Sequence, residues 1–265
     1  MDKIGILGCG WLGFPLAEVL IKQGYVVKGT STSLEKVEKL KKIGVKSYHY
    51  LFNPKEISNS SFFESIDTLV ITIPFVKRGS QLINIESSMN SLVKVIENAS
   101  IKKVIYLSSI SVYDSQKGLV DESYNCNPTS NSGIETLKIE NQLSKGDFII
   151  SHIRLGGLVG KDRHPIYSLS GKNFYKGNEL INLIHQDDAL GIILKVIKVF
   201  NTENMILNAV TPFHPSKKDY YSKIANLKNI LPPKFLKSEN IKRIVDSNRV
   251  IALLKYKFKF SDLII

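Results

Sequence analysis

The amino-acid sequence predicts an α/β protein, a doubly wound parallel sheet with a small C-terminal region. Three observations carry that prediction. Strand and helix signals alternate through residues 1–155, the links between them are short, and "DTLVITI" (67–73) is a continuous apolar run of the kind buried on both sheet faces. Alternation with short links implies right-handed crossovers and therefore parallel strands. At 265 residues the chain can bury a substantial core.

The elements follow in order. Ile4-Gly5-Ile6-Leu7 is a short apolar strand ending at Gly8, and Leu12, Leu16, Val19 and Leu20 then share one face of a helix that stops near Gly24. Tyr25-Val26-Val27 begins a second strand. Thr32-Ser33-Leu34-Glu35 matches a capping box, opening a helix that runs to Ile43 with Gly44 as its stop. Residues 45–51 give a third strand and 67–73 a fourth. Leu82, Ile85, Met89, Leu92 and Ile96 step by three and four, which predicts a long amphipathic helix over 79–99. "KKVIYLSS" (102–109) is the fifth strand, 130–144 a helix, and "DFIISHIRL" (147–155) the sixth strand. Residues 1–155 therefore read as one doubly wound α/β domain. Beyond Leu155 the turn-rich segments "GGLVGKDRHP" and "SGKNFYKGN" precede a helix at 187–200, a strand at 204–208 and a helix from 216. Residues 156–265 read as a small substrate-side region that partly returns to the sheet.

Gly8-x-Gly10-x-x-Gly13 follows a strand and opens a helix, the context in which this spacing has meaning. The first glycine allows the tight turn, the second lets the backbone approach a pyrophosphate, and the third lets helix and strand pack closely. The helix N-terminus adds free N–H groups and the positive end of its dipole. Trp11 and Leu12 lie inside the loop and join the glycines as cofactor-binding candidates. An NAD site places an acid at the end of the second strand for the ribose 2′-hydroxyl. No Asp or Glu occurs between Val19 and Leu34; Ser31, Thr32 and, one turn on, Lys36 stand there instead. Hydroxyls, a helix N-terminus and a lysine suit a 2′-phosphate, so the cofactor is NAD(P) with a preference for NADP. In the plainer alternative Thr32 only caps the helix and Lys36 is a solvated charge.

Composition excludes several functions. The net charge is +12, but 31 of the 36 basic residues are Lys, scattered in pairs such as Lys41-Lys42 and Lys102-Lys103. A nucleic-acid reader would concentrate Arg on one face; an anionic small substrate fits this charge as well. Cys9 and Cys126 are the only cysteines, so no disulfide framework or structural zinc site is expected, and no histidine pair has metal-ligand spacing. "ILGC" resembles a lipoprotein lipid-attachment box. However, only eight residues precede Cys9, and Asp2 sits where a basic segment belongs. No run approaches the ~18 apolar residues of a membrane span. A cytoplasmic protein with no membrane partner is expected.

"VIYLSSISVYDSQKGLVDESYNCNPTSNSG" carries a resemblance to the extended short-chain dehydrogenase/reductases, the sugar-nucleotide epimerases and dehydratases. "GCGWLGFPLA", "LVITIP", "RLGGLVGKDRHP" and "NLIHQDDALG" extend it nearly end to end and are most similar to the atypical YeeZ-like group. The resemblance implies a Rossmann-type fold with Thr72, Pro74 and Ser108 among the cofactor contacts. It implies that Ser109 positions a substrate oxygen. It also exposes a departure. Family members carry Tyr-Gly-x-x-Lys-Leu-x-x-Glu where this chain has Ser132-Gly133-Ile134-Glu135-Thr136-Leu137-Lys138-Ile139-Glu140. Ser132 thus replaces the tyrosine that handles the substrate proton, and Thr136 the lysine that lowers its pKa.

Tyr113 and His164 are the candidates to supply the missing proton, giving a catalytic set of Ser109, Tyr113 and His164. Each has a plainer reading, Tyr113 as a packing residue and His164, with Arg163, as part of a loop anchored by Pro165. Tyr124 is a further nearby phenol. His185, Asp187 and Asp188 resemble the family's His-x-x-Asp at a helix start, where Asp is more often a cap, and Arg154 reads equally as an ion-pair anchor. The favoured function is an oxidoreductase or epimerase-like enzyme acting on a small anionic substrate. The alternative is a non-catalytic dinucleotide sensor. The resemblance also suggests a homodimer through the helices at 79–99 and 130–144, with Val95 contributing to a second apolar face.

Overall fold

A computed structural model describes residues 2–50, 61–74, 85–114, 117–199, 203–237 and 242–264. Its core is a seven-stranded sheet made of β1 (Lys3–Leu7), β2 (Val26–Ser31), β3 (Lys46–His49), β4 (Thr68–Ile71), β5 (Lys103–Ser109), β7 (Ile149–Leu155) and β11 (Met205–Ala209). The order across the sheet is β3-β2-β1-β4-β5-β7-β11, and every neighbouring pair is parallel. Chain order reverses between β1 and β4. Such switch points open a crevice at the carboxyl ends of the strands, where ligands of this architecture bind.

Side chains alternate across the strands, so each face takes its own helices. On one face Ile4, Ile6, Val70, Ile105 and Ile153 pack with Leu16 and Leu20 of α1 (Gly13–Lys22) and Leu40 of α2 (Leu34–Lys42). Ile193 and Val196 of α6 (Gln186–Val199) and Val250 of α8 (Asn248–Leu254) complete that layer. On the other, Leu7, Leu69, Ile71 and Val104 meet Met89, Leu92 and Ile96 of α3 (Ile85–Asn98) and Ile139 and Leu143 of α4 (Asn131–Leu143). The amphipathic stripe read from the sequence is thus the buried face of α3; Leu82 lies outside the described residues.

Two details differ from expectation. Ser33, not Thr32, is the N-cap of α2: its hydroxyl accepts the Lys36 N–H at 3.4 Å, while Glu35 pairs with Lys39 at 2.6 Å. The cap is one residue later because Ser31 stays in β2, which leaves Thr32 exposed. Val95 is also buried within the subunit. The outward residues of α3 and α4 include Glu86, Asn90, Lys94, Asn131, Lys138 and Asn141, while Ile134 and Leu137 are half-buried.

After residue 155 the chain divides its work. β11, α6 and α8 join the sheet layers. β8 (Gly157–Val159), α5 (Pro165–Leu169), β9 (Asn173–Phe174), β10 (Leu183–His185), α7 (Lys217–Leu227) and β12 (Lys234–Phe235) form a lobe, and its core contains Ile166, Ile181, Tyr220, Tyr221 and Ile224. β6 (Gly118–Val120) pairs with β13 (Arg243–Val245) beneath it. Among the described residues no helix is long and apolar enough to cross a membrane, and no group of acidic, His and Cys side chains is placed to hold a metal.

Candidate dinucleotide cleft

The glycine loop leaves β1 through Gly8, whose φ of +107° lies in a region that favours glycine. The Gly8 N–H donates to Thr30 Oγ1 at 2.8 Å and the Cys9 N–H to the Thr30 carbonyl at 2.6 Å, tying the loop to β2. Thr72 Oγ1 donates to the Gly8 carbonyl from the β4 side. At Gly13 a Cβ would stand 2.3 Å from the Gly8 carbonyl oxygen, so only glycine lets α1 start this close to the strand. Gly10 differs from both: a Cβ there would meet nothing within 4 Å. The N-terminus of α1 has no side-chain cap at Leu12 and no acid in its first turn. Bare N–H groups facing open space make an anion seat, and the residues present fit a dinucleotide pyrophosphate.

A cleft of about 580 Å³ starts at Gly8, Gly10, Trp11, Leu12 and Gly13. It passes Thr72, Ile73 and Pro74, then Tyr106, Leu107, Ser108 and Ser109 along the end of β5. Ser132 and Thr136 of α4 form one wall, and Leu155, Gly156, Leu158 and Arg163 the other. Ser31, Thr32 and Lys36 lie outside this lining, at the end of β2 and the start of α2. Ser31 is buried and its Oγ accepts the Ser33 N–H at 3.2 Å; Thr32 and Lys36 are exposed.

Of the three proposed catalytic side chains, only Ser109 reaches the cleft. Its Oγ accepts the Ser111 N–H at 3.1 Å and caps a turn of 3₁₀ helix, Ile110–Tyr113. That turn carries Tyr113 away from the cleft and buries it completely. Its hydroxyl donates to Asn208 Oδ1 at 3.1 Å and accepts from Arg154 Nη1 at 2.6 Å. Burial pushes the phenol up to about 12, with Arg154 opposing. Enclosed and doubly bonded, Tyr113 has no access to a substrate.

His164 is also turned away. Pro165 starts α5, which makes His164 its N-cap: Nδ1 accepts the Ile166 N–H at 3.1 Å. Nε2 lies 2.9 Å from the Tyr220 hydroxyl, which donates onward to the Leu263 carbonyl at 3.0 Å. This network assigns the neutral Nε2–H tautomer. Burial, then Lys228, depresses its pKa to about 4. The residue before it, Arg163, is the one that faces the cleft. The sequence clue lay in the proline, which turns the preceding side chain back onto the helix.

The remaining candidates are anchors. Asp188 is fully buried and accepts from the Tyr256 hydroxyl at 2.9 Å and from the Lys259 and Phe260 N–H groups at 2.8 and 3.1 Å, so it caps no helix. His185 stacks on Phe260 with ring centres 3.5 Å apart. Tyr124 is exposed and outside the cleft lining. Arg154 Nε and Nη2 bond both oxygens of Glu140 at 3.0 and 2.7 Å, and Ser108 Oγ donates to Glu140 at 2.5 Å.

These buried histidines make stability pH-dependent. Burial holds His152, like His164, at about 4. Between pH 6.5 and 4 the unfolded chain therefore binds protons that the folded chain refuses. Stability should fall as pH drops through that window, by up to ~1.4 kcal/mol per pH unit per histidine. Thermal unfolding of His164→Asn, which retains a capping acceptor but no titration, should show a shallower slope. Identical slopes for variant and wild type would contradict this assignment.

Residues 3–96 match the family model described as NADP oxidoreductase, coenzyme F420-dependent. Protein YeeZ of Escherichia coli strain K12 is 31% identical over 271 residues, covering 99% of this chain and 97% of that protein. Among solved structures, UDP-glucuronic acid 4-epimerase from Bacillus cereus, in complex with UDP-glucuronic acid and NAD, superposes with a TM-score of 0.82 at 18% identity, covering 97% of this chain and 94% of that one. A functionally unknown conserved protein from Silicibacter pomeroyi superposes at 0.80 and 17% identity, covering 99% and 95%. The fold is therefore α/β and Rossmann-like, shared with these structures. The chain belongs to the family of Protein YeeZ.

Proposed function

We propose that the chain binds NADP(H) in the cleft at the sheet switch point and uses it for hydride exchange with a small anionic substrate, as an oxidoreductase or epimerase-like enzyme. The observation that carries this reading is the continuity of one cleft from the glycine loop to Ser109, Ser132 and Arg163. The dinucleotide, when bound, supplies or accepts the hydride. Ser109 orients the substrate oxygen, and solvent in the cleft supplies or takes up the proton. General acid–base assistance is worth ~10²–10⁴ in rate, so turnover without the family's tyrosine is slow. Thr32, Lys36 and the start of α2 hold the 2′-phosphate, next to the Thr30 hydroxyl that fixes Gly8. Two free cysteines suit a reducing compartment such as the cytoplasm.

A second reading is a dinucleotide-binding protein without turnover. It is favoured by one observation: Ser132 and Thr136 line the cleft at the positions of the missing tyrosine and lysine, while Tyr113 and His164 do not.

One set of measurements tests both. Trp11 sits at the glycine loop and is the only tryptophan, so its emission reports binding. NADPH should bind more tightly than NADH, and Lys36→Ala should lower that preference by roughly tenfold, the value of one exposed-to-partly-buried charge-assisted phosphate contact. Equal affinities in the wild type would remove the 2′-phosphate site. NADPH absorbance is then followed against small oxo acids and sugar nucleotides. Turnover that Ser109→Ala diminishes supports the enzyme; binding with no turnover supports the second reading.

A further inference from the structure

Residues 160–163 form a tight turn. The Gly160 N–H donates to the Arg163 carbonyl at 2.8 Å and the Arg163 N–H to the Gly160 carbonyl at 3.1 Å. Trp11 docks the turn on the glycine loop. Trp11 Nε1–H donates to Asp162 Oδ1 at 2.9 Å, and the Arg163 guanidinium carbon lies 5.1 Å from the indole centre. A Cβ on Gly160 would stand 2.9 Å from Trp11 Cζ2, so a side chain there would collide with the indole. From the other side Gln186 Nε2 donates to the Trp11 carbonyl at 2.7 Å. The indole is thus held at its edge, one face and its backbone, and these holds come from residues about 150 or more positions away in the chain.

Arg163 is the sole cationic side chain among the described residues lining the cleft. An exposed arginine ordinarily loses considerable rotamer freedom when it binds an anion. Here the indole face pre-orders it by a cation–π contact. Trp11 lies between Gly10 and the uncapped start of α1, and Arg163 lines the same cleft as Gly10, Leu12 and Gly13.

We infer that Arg163, held on Trp11 by the Asp162 turn, is a pyrophosphate clamp: it closes over the dinucleotide opposite the glycine loop and gives the bound phosphates a second, side-chain cation. The clamp rests on the dinucleotide reading above and specifies which group of the ligand the C-terminal lobe recognises. It also gives the tryptophan in the loop a task.

The test is direct binding, measured by calorimetry with NADPH and with ADP-ribose, which keeps the pyrophosphate and lacks the nicotinamide. Arg163→Ala should weaken both ligands equally, by about tenfold or more, the value of a charge-assisted phosphate contact. Arg163→Lys should fall between, since it keeps the charge and loses the planar stacking. Asp162→Ala should give a smaller loss in the same direction. Arg163 is exposed, so the unfolding midpoints should match the wild type and fold loss cannot mimic the result. Wild-type affinity in Arg163→Ala overturns the clamp while leaving the dinucleotide reading intact. A loss for NADPH without a loss for ADP-ribose also overturns it, because Arg163 would then serve the nicotinamide or substrate end. Failure of the wild type to bind either ligand removes the clamp and the dinucleotide reading together.

Discussion

Replacing Gly10 with valine should leave the fold standing and abolish dinucleotide binding. The position has no positive φ, and a Cβ there meets no protein atom within 4 Å, so the variant chain folds without strain. The same open space is where phosphate oxygens must approach the N–H groups at the start of α1. Losing two charge-assisted hydrogen bonds, each worth about 1.5–3 kcal/mol, amounts to a hundredfold or more in affinity at roughly 1.4 kcal/mol per tenfold. Gly13→Val is the contrast. Its side chain would begin 2.3 Å from the Gly8 carbonyl and 3.1 Å from Thr72 Oγ1, pushing α1 off β1. Overpacking of that kind costs about 1–3 kcal/mol and should lower the unfolding midpoint. Binding isotherms and melting curves of the two variants separate ligand space from packing space. Retained NADPH affinity in Gly10→Val would move the phosphates elsewhere.

That contrast was half legible in the sequence. The spacing of the glycines and their place after a strand identified the loop, because close backbone approach is a local requirement that only glycine meets. The alternating strand and helix signals were legible for a similar reason: the apolar stripe of α3 and the continuous runs of β4 and β7 report burial that each element needs. Side-chain direction was not legible. Tyr113 looks like chemistry in one dimension and in three is buried and hydrogen-bonded to Arg154, whose reading as an ion-pair anchor holds. Sequence proximity to Ser109 could not reveal that a 3₁₀ turn points Tyr113 into a pocket shared with Asn208, 95 residues away. At residues 163 and 164 a single local fact, Pro165 as the first residue of α5, decides which side chain faces the cleft. The Trp11–Asp162 bond spans 151 residues and has no sequence signature.

The buried pair behind the cleft should be the most costly charge to disturb. Glu140 sits in α4 and Arg154 in β7, each side chain about 4% exposed, and their bidentate contact is joined by Ser108 of β5 and by Tyr113. Three elements that frame the cleft, α4, β7 and β5, therefore meet at one carboxylate. Burial disfavours the Arg154 charge, but the hydrogen bonds and attraction from Glu140 outweigh it and hold the pKa above the ordinary arginine value. Without its partner Arg154 still keeps its charge, because a guanidinium is too basic to lose its proton in a protein. In Glu140→Ala a buried guanidinium is left uncompensated and the Ser108 hydroxyl loses its acceptor, for which a loss of about 3–5 kcal/mol in stability is expected. Glu140→Gln, which keeps an acceptor for Ser108 but not the charge, should lie between. The decisive comparison is Glu140→Met with Arg154→Met. Removing both charges together eliminates the uncompensated ion, so the double variant should unfold at higher denaturant concentration than Glu140→Ala. Equal midpoints for those two proteins would mean that packing of α4 on β7, and not the ion pair, holds the wall carrying Ser132 and Thr136 in place.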